Sequence, residues 1–559
     1  MSNKEVWYKL LSDKRLSGGS RADDLRKNPD TMDNRTGAES DLGRVIFTTA
    51  ARRLHDKTQV FPLVDNDHTH SRLTHSLEVV NAGMGFALLM LGKECKDDNY
   101  KKRLAKLEVE KGLVFRHIQP ILMTSCLVHD IGNPPFGHFG ENVISDYFAN
   151  LIEELEESYK NNSCTKNKLV SQILKFSNMK TFDKNGNERV ESDRIRRNAF
   201  HEFINDEYKK CDYTQFDGNA QGFRVLTKLQ YIDNLYGLNL TMATLAATLK
   251  YPNAGKKDKK GPIGMHKHGV FTTEWLHLNN IAKECGLITE DGRYKRHPLA
   301  FLMEAADSIC YTVMDLDDAY DKGLISSRKV KDFLDAEFNK TIEKANDAKA
   351  NVKIEKGVEN LYEGLTNHPL DSEKGPDWTN YRNAILKHLM DVAFVNFLDN
   401  FEDIIKGNYR NELLEDRYNN DGSEKKEWEY DRTAIVLQKL CHEVVFPNRS
   451  VRTLEVTGRA VITGLFNIYF GLLFHEDEKF RKHGMSLMSR SNVMTTLHEH
   501  FDALNKENVA EKVIEAYNND FDPIELSVEE IFRIVRDEVA GMTDNYALDQ
   551  YQRLSGQNI

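Results

Sequence analysis

"CLVHDIGNPPFGHFGE", Cys126 to Glu141, joins an apolar helical run, a double-proline stop and four ionisable side chains. Ile118, Leu122, Cys126 and His129 lead through it at helical spacing, and Pro134 and Pro135 stop the helix they mark. A helix and its stop do not account for His129, Asp130, His138 and Glu141, four ionisable side chains beside an apolar run. Imidazole and carboxylate together suit a divalent cation, so His129-Asp130 is read as part of a metal centre. A glutamate three residues after a histidine orients its ring and favours its protonated form, so His138 and Glu141 are read as an acid/base pair.

Helices extend outward on both sides. After Thr74, Leu77, Val80, Met84 and Leu88 predict an amphipathic helix with that stripe buried. "LAFLMEAADSICYTVMDLDDAY" predicts another, beginning just after Pro298. No alternation of strand and helix patterns and no fixed-period repeat is present, and only 12 prolines in 559 residues favour long elements, so the chain is expected to be all-α. Net charge is -11, from 76 basic and 87 acidic residues, which argues against a globally basic nucleic-acid binder. Seven cysteines without a CxxC pair predict reduced thiols in the cytoplasm. The start has no apolar core of signal-peptide type. The longest mostly apolar stretch is taken as Val79 to Gly92, whose 14 residues fall short of a membrane span, so no membrane partner is expected. Tyr251 to Gly269 is a basic, Gly/Pro-containing loop whose lysines are read as solvated surface.

A His-Asp dipeptide alone carries little. His55-Asp56, with no helix break or acid/base pair nearby, is read as ordinary surface or packing. Adjacent helical residues point about 100° apart, so an ion held by His129 and Asp130 needs ligands from other helices. His75, at the start of the first helix, and Asp307, an acid inside an apolar stretch that demands a partner, are the candidates. Asp307, Tyr311 and Asp315 follow at spacings of 4 along one face. That ladder suits phosphate at the metal, a sugar over the ring and a hydroxyl at Asp315; a Tyr covering core and an Asp paired with a Lys or Arg is the alternative. Metal-assisted phosphoester hydrolysis is the reaction class these residues suggest.

His75, "HD" at 129 and 130, and Asp307 resemble the H…HD…D signature of the HD-domain phosphohydrolases. With "ARRLHDKTQVFPL", "SRLTHSLEV", "FDGNAQGFR", "LKYP", "MEAADSICYTVMDLDDA" and the terminal "AGMTDNYALDQYQRL" in the same order, the chain resembles more narrowly the bacterial deoxyguanosine triphosphate triphosphohydrolases. The resemblance implies an HD-type helical catalytic core over residues 35–325. A 1–34 N-terminal extension precedes it, and a C-terminal helical region over 326–559 completes the site and subunit contacts. It implies cleavage of dGTP, with other dNTPs in range, between the 5′ oxygen and the α-phosphorus, leaving a deoxynucleoside and tripolyphosphate. It assigns the metal ligands to His75, His129, Asp130 and Asp307, and the catalytic pair to His138 and Glu141. Arg72, Asn219, Lys250 and Tyr251 match phosphate contacts, Gln59 and Asp315 match residues holding the 3′ hydroxyl, and Tyr311 matches the ring packed against C2′. The expected cofactor is one divalent ion, Mn2+ or Mg2+ before Co2+, Fe2+, Ni2+ or Zn2+. Expected partners are the dNTP, other copies of the chain in a homo-oligomer (a hexamer by resemblance) and single-stranded DNA as activator. "LEVTGRAVITGLF" resembles a helix near the family's subunit contacts, and Arg481 and Arg490 fall where arginines would reach substrate or single-stranded DNA. The alternatives are an HD-type phosphodiesterase or nucleotidase, and a non-catalytic nucleotide or nucleic-acid sensor.

Overall fold

A computed structural model describes the chain apart from residues 1, 21–32, 58–69, 93–97, 162–164, 182–187, 231–235, 256, 259–260, 349–377, 420, 446–448, 520 and 558–559. Among the described residues there are helices, turns and isolated bridges but no β-strand, so the protein is all-α. The helices that position the site are α1 (Arg72–Leu89), α2 (Gln119–Val128), α3 (Gly137–Asn161), α4 (Gly218–Arg224) and α5 (Pro298–Asp321). Those that close around it are α6 (Trp378–Asp399), α7 (Arg449–Leu473), α8 (Arg490–Ala503), α9 (Val528–Ala540) and α10 (Asp544–Leu554). Their ends follow local chemistry. Ser71 caps α1, Asp217 caps α4, and Pro298 opens α5 at the position where a missing N–H costs nothing.

Apolar side chains collect into two cores. One runs from Trp7 to Cys441 and includes α1, α2, α5 and α6. The other joins α3, α7 and α9, with Phe148, Phe466, Phe470 and Phe532 as a ring cluster at its centre. Neither core is built from one continuous stretch, since the second takes Phe136–Ala220, Phe271 and Val461–Ala547.

Two expectations are corrected here. The buried face of α1 is Val79, Ala82, Gly83, Phe86 and Ala87, while Leu77 and Leu88 are about half exposed. A small residue is required where α2 packs closest, since a Cβ at Gly83 would stand 2.7 Å from Cys126 Sγ, whereas Phe86 packs away from that point against Phe394. The longest apolar stretch is not Val79–Gly92. Within α7, the 19 residues Glu455–Leu473 are long and apolar enough to cross a membrane by length and composition, with mean hydropathy 1.4. Scattered Gly, Thr and Asn hide that run from inspection; Val461, Ile462, Leu465, Phe466, Tyr469 and Phe470 are buried in the second core.

Candidate active site

Helix α2 ends at Val128, and the chain turns through His129, Asp130 and Asn133 before Pro134 prevents further helix. The turn delivers both ring and carboxylate to one place. His129 Nδ1 sits 2.7 Å from the Cys126 carbonyl and must donate to it, which leaves the Nε2 lone pair facing the cluster. His75, fully buried on α1, places Nε2 3.1 Å from Asp307 Oδ1, and His129 Nε2 lies 3.2 Å from the same oxygen. Ligand atoms of His75, His129 and Asp130 lie within 4.8 Å of one another. Two histidines and two carboxylates from α1, the α2 turn and α5 therefore meet. They fit a cation: His129 Nε2 is buried without a hydrogen-bond donor, and the donor set is that of a hard or borderline divalent ion.

Cations line the wall of this cluster. Arg72 pairs with Asp130, and Lys250 Nζ stands 2.5 Å from Asp307 Oδ2. Burial, the largest single influence, pushes both carboxyls up, but Arg72 with His129 and His75 at Asp130, and Lys250 with His129 and His75 at Asp307, together outweigh it, so both stay well below the usual range. Asn133 Nδ2 donates to Asp130 Oδ1 at 2.7 Å, completing the support of that group.

At the start of α3, His138 Nδ1 lies 2.9 Å from Glu141 Oε2, with the imidazole three-quarters exposed. The other carboxylate oxygen accepts the Gly218 amide at 2.8 Å, so α4 holds Glu141 while Glu141 holds His138. The Glu141 charge raises the His138 pKa, and their hydrogen bond adds to it. Asn219, beside Gly218, donates to Asp217 Oδ1 at 2.8 Å.

On α5 the ladder stands as spaced. Tyr311 is partly buried between Asp307 and Asp315. Asp315 is 1% exposed, and both carboxylate oxygens lack a hydrogen-bond partner, so no Lys or Arg neutralises it among the described residues. Burial, then the nearby Asp318 carboxylate, raises it to about 8. Tyr251 is buried beside Lys250. Gln59 lies outside the described residues.

One residue read as solvated surface is exposed, as expected, and also reaches the site. Lys267, in the basic loop, holds Nζ 5.5 Å over the Tyr251 ring and lowers the pKa of Glu141 through its charge. Only the fold of that loop, pinned by buried His268 and Gly269, brings it to the site; no periodicity signals it. Arg481 moves the other way. Its guanidinium spans Asp522 at 2.8 and 2.7 Å and donates to the carbonyls of His475 and Glu476, a buried structural arginine without a free donor fork for a ligand. Arg490 lies 5.5 Å from the Tyr517 ring centre. His55-Asp56 forms an exposed one-turn pair, as its setting predicts.

A helical scaffold that gathers imidazole, carboxylate and cationic groups into one cleft defines a class, that of hydrolases with a His/Asp centre able to hold a cation. No protein-family model matches the chain, but whole-length relatives do. It is 31% identical over 534 residues to deoxyguanosinetriphosphate triphosphohydrolase of Cronobacter sakazakii, covering 92% of this chain and 93% of that protein. The Salmonella typhimurium protein of the same name is 31% identical over 529 residues, covering 92% and 93%. A deoxyguanosinetriphosphate triphosphohydrolase-like protein of Listeria monocytogenes is 29% identical over 555 residues, covering 98% and 99%. The chain belongs to the deoxyguanosinetriphosphate triphosphohydrolase family of hydrolytic enzymes.

Proposed function

We propose that the protein hydrolyses dGTP, and other dNTPs to the extent its base pocket admits them, into a deoxynucleoside and tripolyphosphate. The observation that carries this reading is the meeting of His75, His129, Asp130 and Asp307 beside Arg72, Lys250 and the His138–Glu141 pair. The two histidines and two aspartates would hold a divalent ion, which would supply Lewis-acid stabilisation of charge on the phosphoryl oxygens. Mn2+ or Mg2+ is the ion the family resemblance implies, while the mixed imidazole and carboxylate set also suits Fe2+, Co2+, Ni2+ or Zn2+.

The remaining chemistry belongs to the chain. Arg72, Lys250 and Lys267 offset the triphosphate charge, and Asn219 and the Tyr251 hydroxyl orient it. As water adds to the α-phosphorus and the bond to the 5′ oxygen breaks, protonated His138 gives its proton to that departing oxygen and the water's proton passes to solvent, while Glu141 holds the ring and keeps it charged. Tyr311 packs against the sugar where a ribose hydroxyl would find no polar partner, and Asp315 meets the 3′ hydroxyl. Gln59 joins that contact by the sequence resemblance. The same reading extends to a cytoplasmic homo-oligomer that responds to single-stranded DNA.

The test is incubation of the pure protein with Mn2+ and dGTP, with products resolved by phosphorus NMR. Tripolyphosphate is expected. Pyrophosphate or orthophosphate in its place would overturn the bond assignment. Repeating the assay across the four dNTPs and GTP, with and without an oligonucleotide, reads base choice, sugar choice and activation.

A further inference from the structure

The backbone takes a strained course just before His138. Phe136 has φ +65° and Gly137 φ +58°. A glycine accepts this region freely, whereas an aromatic residue there persists only when its surroundings over-determine it. Those surroundings come from distant parts of the chain. The Phe136 amide donates to Asp544 Oδ1 at 2.8 Å, with both residues buried. Lys57, also buried, donates through Nζ to the Asn133 carbonyl and, at 3.5 Å, to the Ala540 carbonyl at the end of α9. The Phe136 ring lies on Gly458 of α7, where a Cβ would stand 2.9 Å from ring Cγ.

The turn in question touches the proposed machinery at two points. The Phe136 carbonyl accepts the Gly140 amide at 3.3 Å and so sets the first turn of α3, which carries His138. At Gly137 a Cβ would stand 2.7 Å from Arg72 Nη2, so the same backbone abuts a phosphate-type cation. Glu141, by contrast, is anchored independently through the Gly218 amide. A relaxed turn would move His138 while its partner stayed in place.

We propose that the segment Ala540–Asp544 is a positioning clasp for the active site. Asp544, through the Phe136 amide, and Lys57, through the Asn133 carbonyl, hold residues 133–137 in the form that aims His138. The inference rests on His138 being the proton donor proposed above. Asp544 touches no reacting atom; it acts through the backbone it holds.

The experiment uses the full-length holoenzyme with Asp544→Ala, Asp544→Asn and Gly458→Ala. It records kcat and KM for dGTP, metal content, and the titration of the His138 ring by NMR. Asp544→Ala is expected to lower kcat by about 10- to 100-fold, the cost of misplacing a reacting group by roughly 1 Å. KM and metal content should hold within about twofold, since Asp544 itself contacts no binding group, Arg72 keeps its pair with Asp130, and Lys57 still holds the Asn133 carbonyl. Asp544→Asn keeps an acceptor oxygen and should recover most of the loss. Gly458→Ala, which drives the Phe136 ring outward with Asp544 intact, should reproduce it. Unchanged kcat in Asp544→Ala overturns the clasp, as does loss of kcat together with metal, or an Asn variant no better than Ala. If Asp544→Ala does not fold, unchanged kcat in Gly458→Ala overturns it. A wild type inactive on dGTP instead removes the substrate assignment. The clasp is then read without substrate, from whether the His138 titration in the variants moves toward that of a free histidine.

Discussion

At the scale of single residues, one hydrogen bond decides what His129 can do. Because Nδ1 donates to the Cys126 carbonyl, Nε2 has only its lone pair to offer, and two carboxylates converge where a cation would sit. His138 is governed by a carboxylate at Nδ1 that raises its pKa. As a proton donor it works while protonated, so turnover should fall as pH rises through that raised value. Replacing Glu141 with Gln removes the charge, and the alkaline limb of the pH–kcat profile should move to lower pH; a limb that stays in place would show that another group sets it. Asp315 makes a stability prediction. Its pKa rises from 3.8 to about 8 on folding, so its contribution is fully present below the ordinary carboxylate range and is lost as pH rises through about 8. Asp315→Asn should flatten the dependence of Tm on pH across that window, as seen by differential scanning calorimetry.

At the scale of elements, the site depends on backbones meeting closely. The loop after α2 touches the backbone of α4, and a Cβ at Gly132 would fall 1.9 Å from the Gly222 amide nitrogen and 2.3 Å from the Gly218 carbonyl. Neither is a flexible side chain that can swing away. Gly132→Ala should therefore separate α4 from the His-Asp turn, destabilising the protein by at least about 3 kcal/mol in urea unfolding. It should also weaken the Gly218–Glu141 contact that holds the acid/base pair. The face of α1 obeys the same constraint. Gly83 is buried where α2 comes too close for a Cβ, Phe86 on the same helix finds room against Phe394, and Leu77 and Leu88 are left about half exposed.

At the scale of the whole molecule, the two cores are bridged by buried charge. Arg224, at the end of α4, donates to Asp537 of α9 and to Glu274 at 2.7 Å each and reaches Glu499 of α8 at 3.3 Å; Lys228 meets Glu499 at 2.5 Å. Arg536 completes the junction by stacking 3.9 Å from the Phe271 ring centre. Arg224→Met should cost about 3 kcal/mol, because it takes a buried cation from Glu274 and Asp537 together and leaves them to Lys228 and Arg536 alone. Loss of a single cooperative transition in guanidinium would show that this junction makes the two cores unfold together. A variant as stable as wild type would mean that the carboxylates find water.

From the sequence alone the helical class and the α2 and α5 stretches were legible, and His75, His129, Asp130 and Asp307 stood out as candidate ligands. These follow from local rules: apolar spacing, proline stops, and the cost of an acid placed in an apolar run. The close approach of α2 at Gly83, Lys267 over Tyr251, the Arg481–Asp522 pair and the tie between Asp544 and Phe136 were decided only by tertiary structure. In each, the partner lies far away in the chain or the contact is to backbone, and side-chain periodicity carries no trace of either. A helix written in one stretch can announce its buried stripe, but which face meets another helix, and how closely, is settled where the two pack.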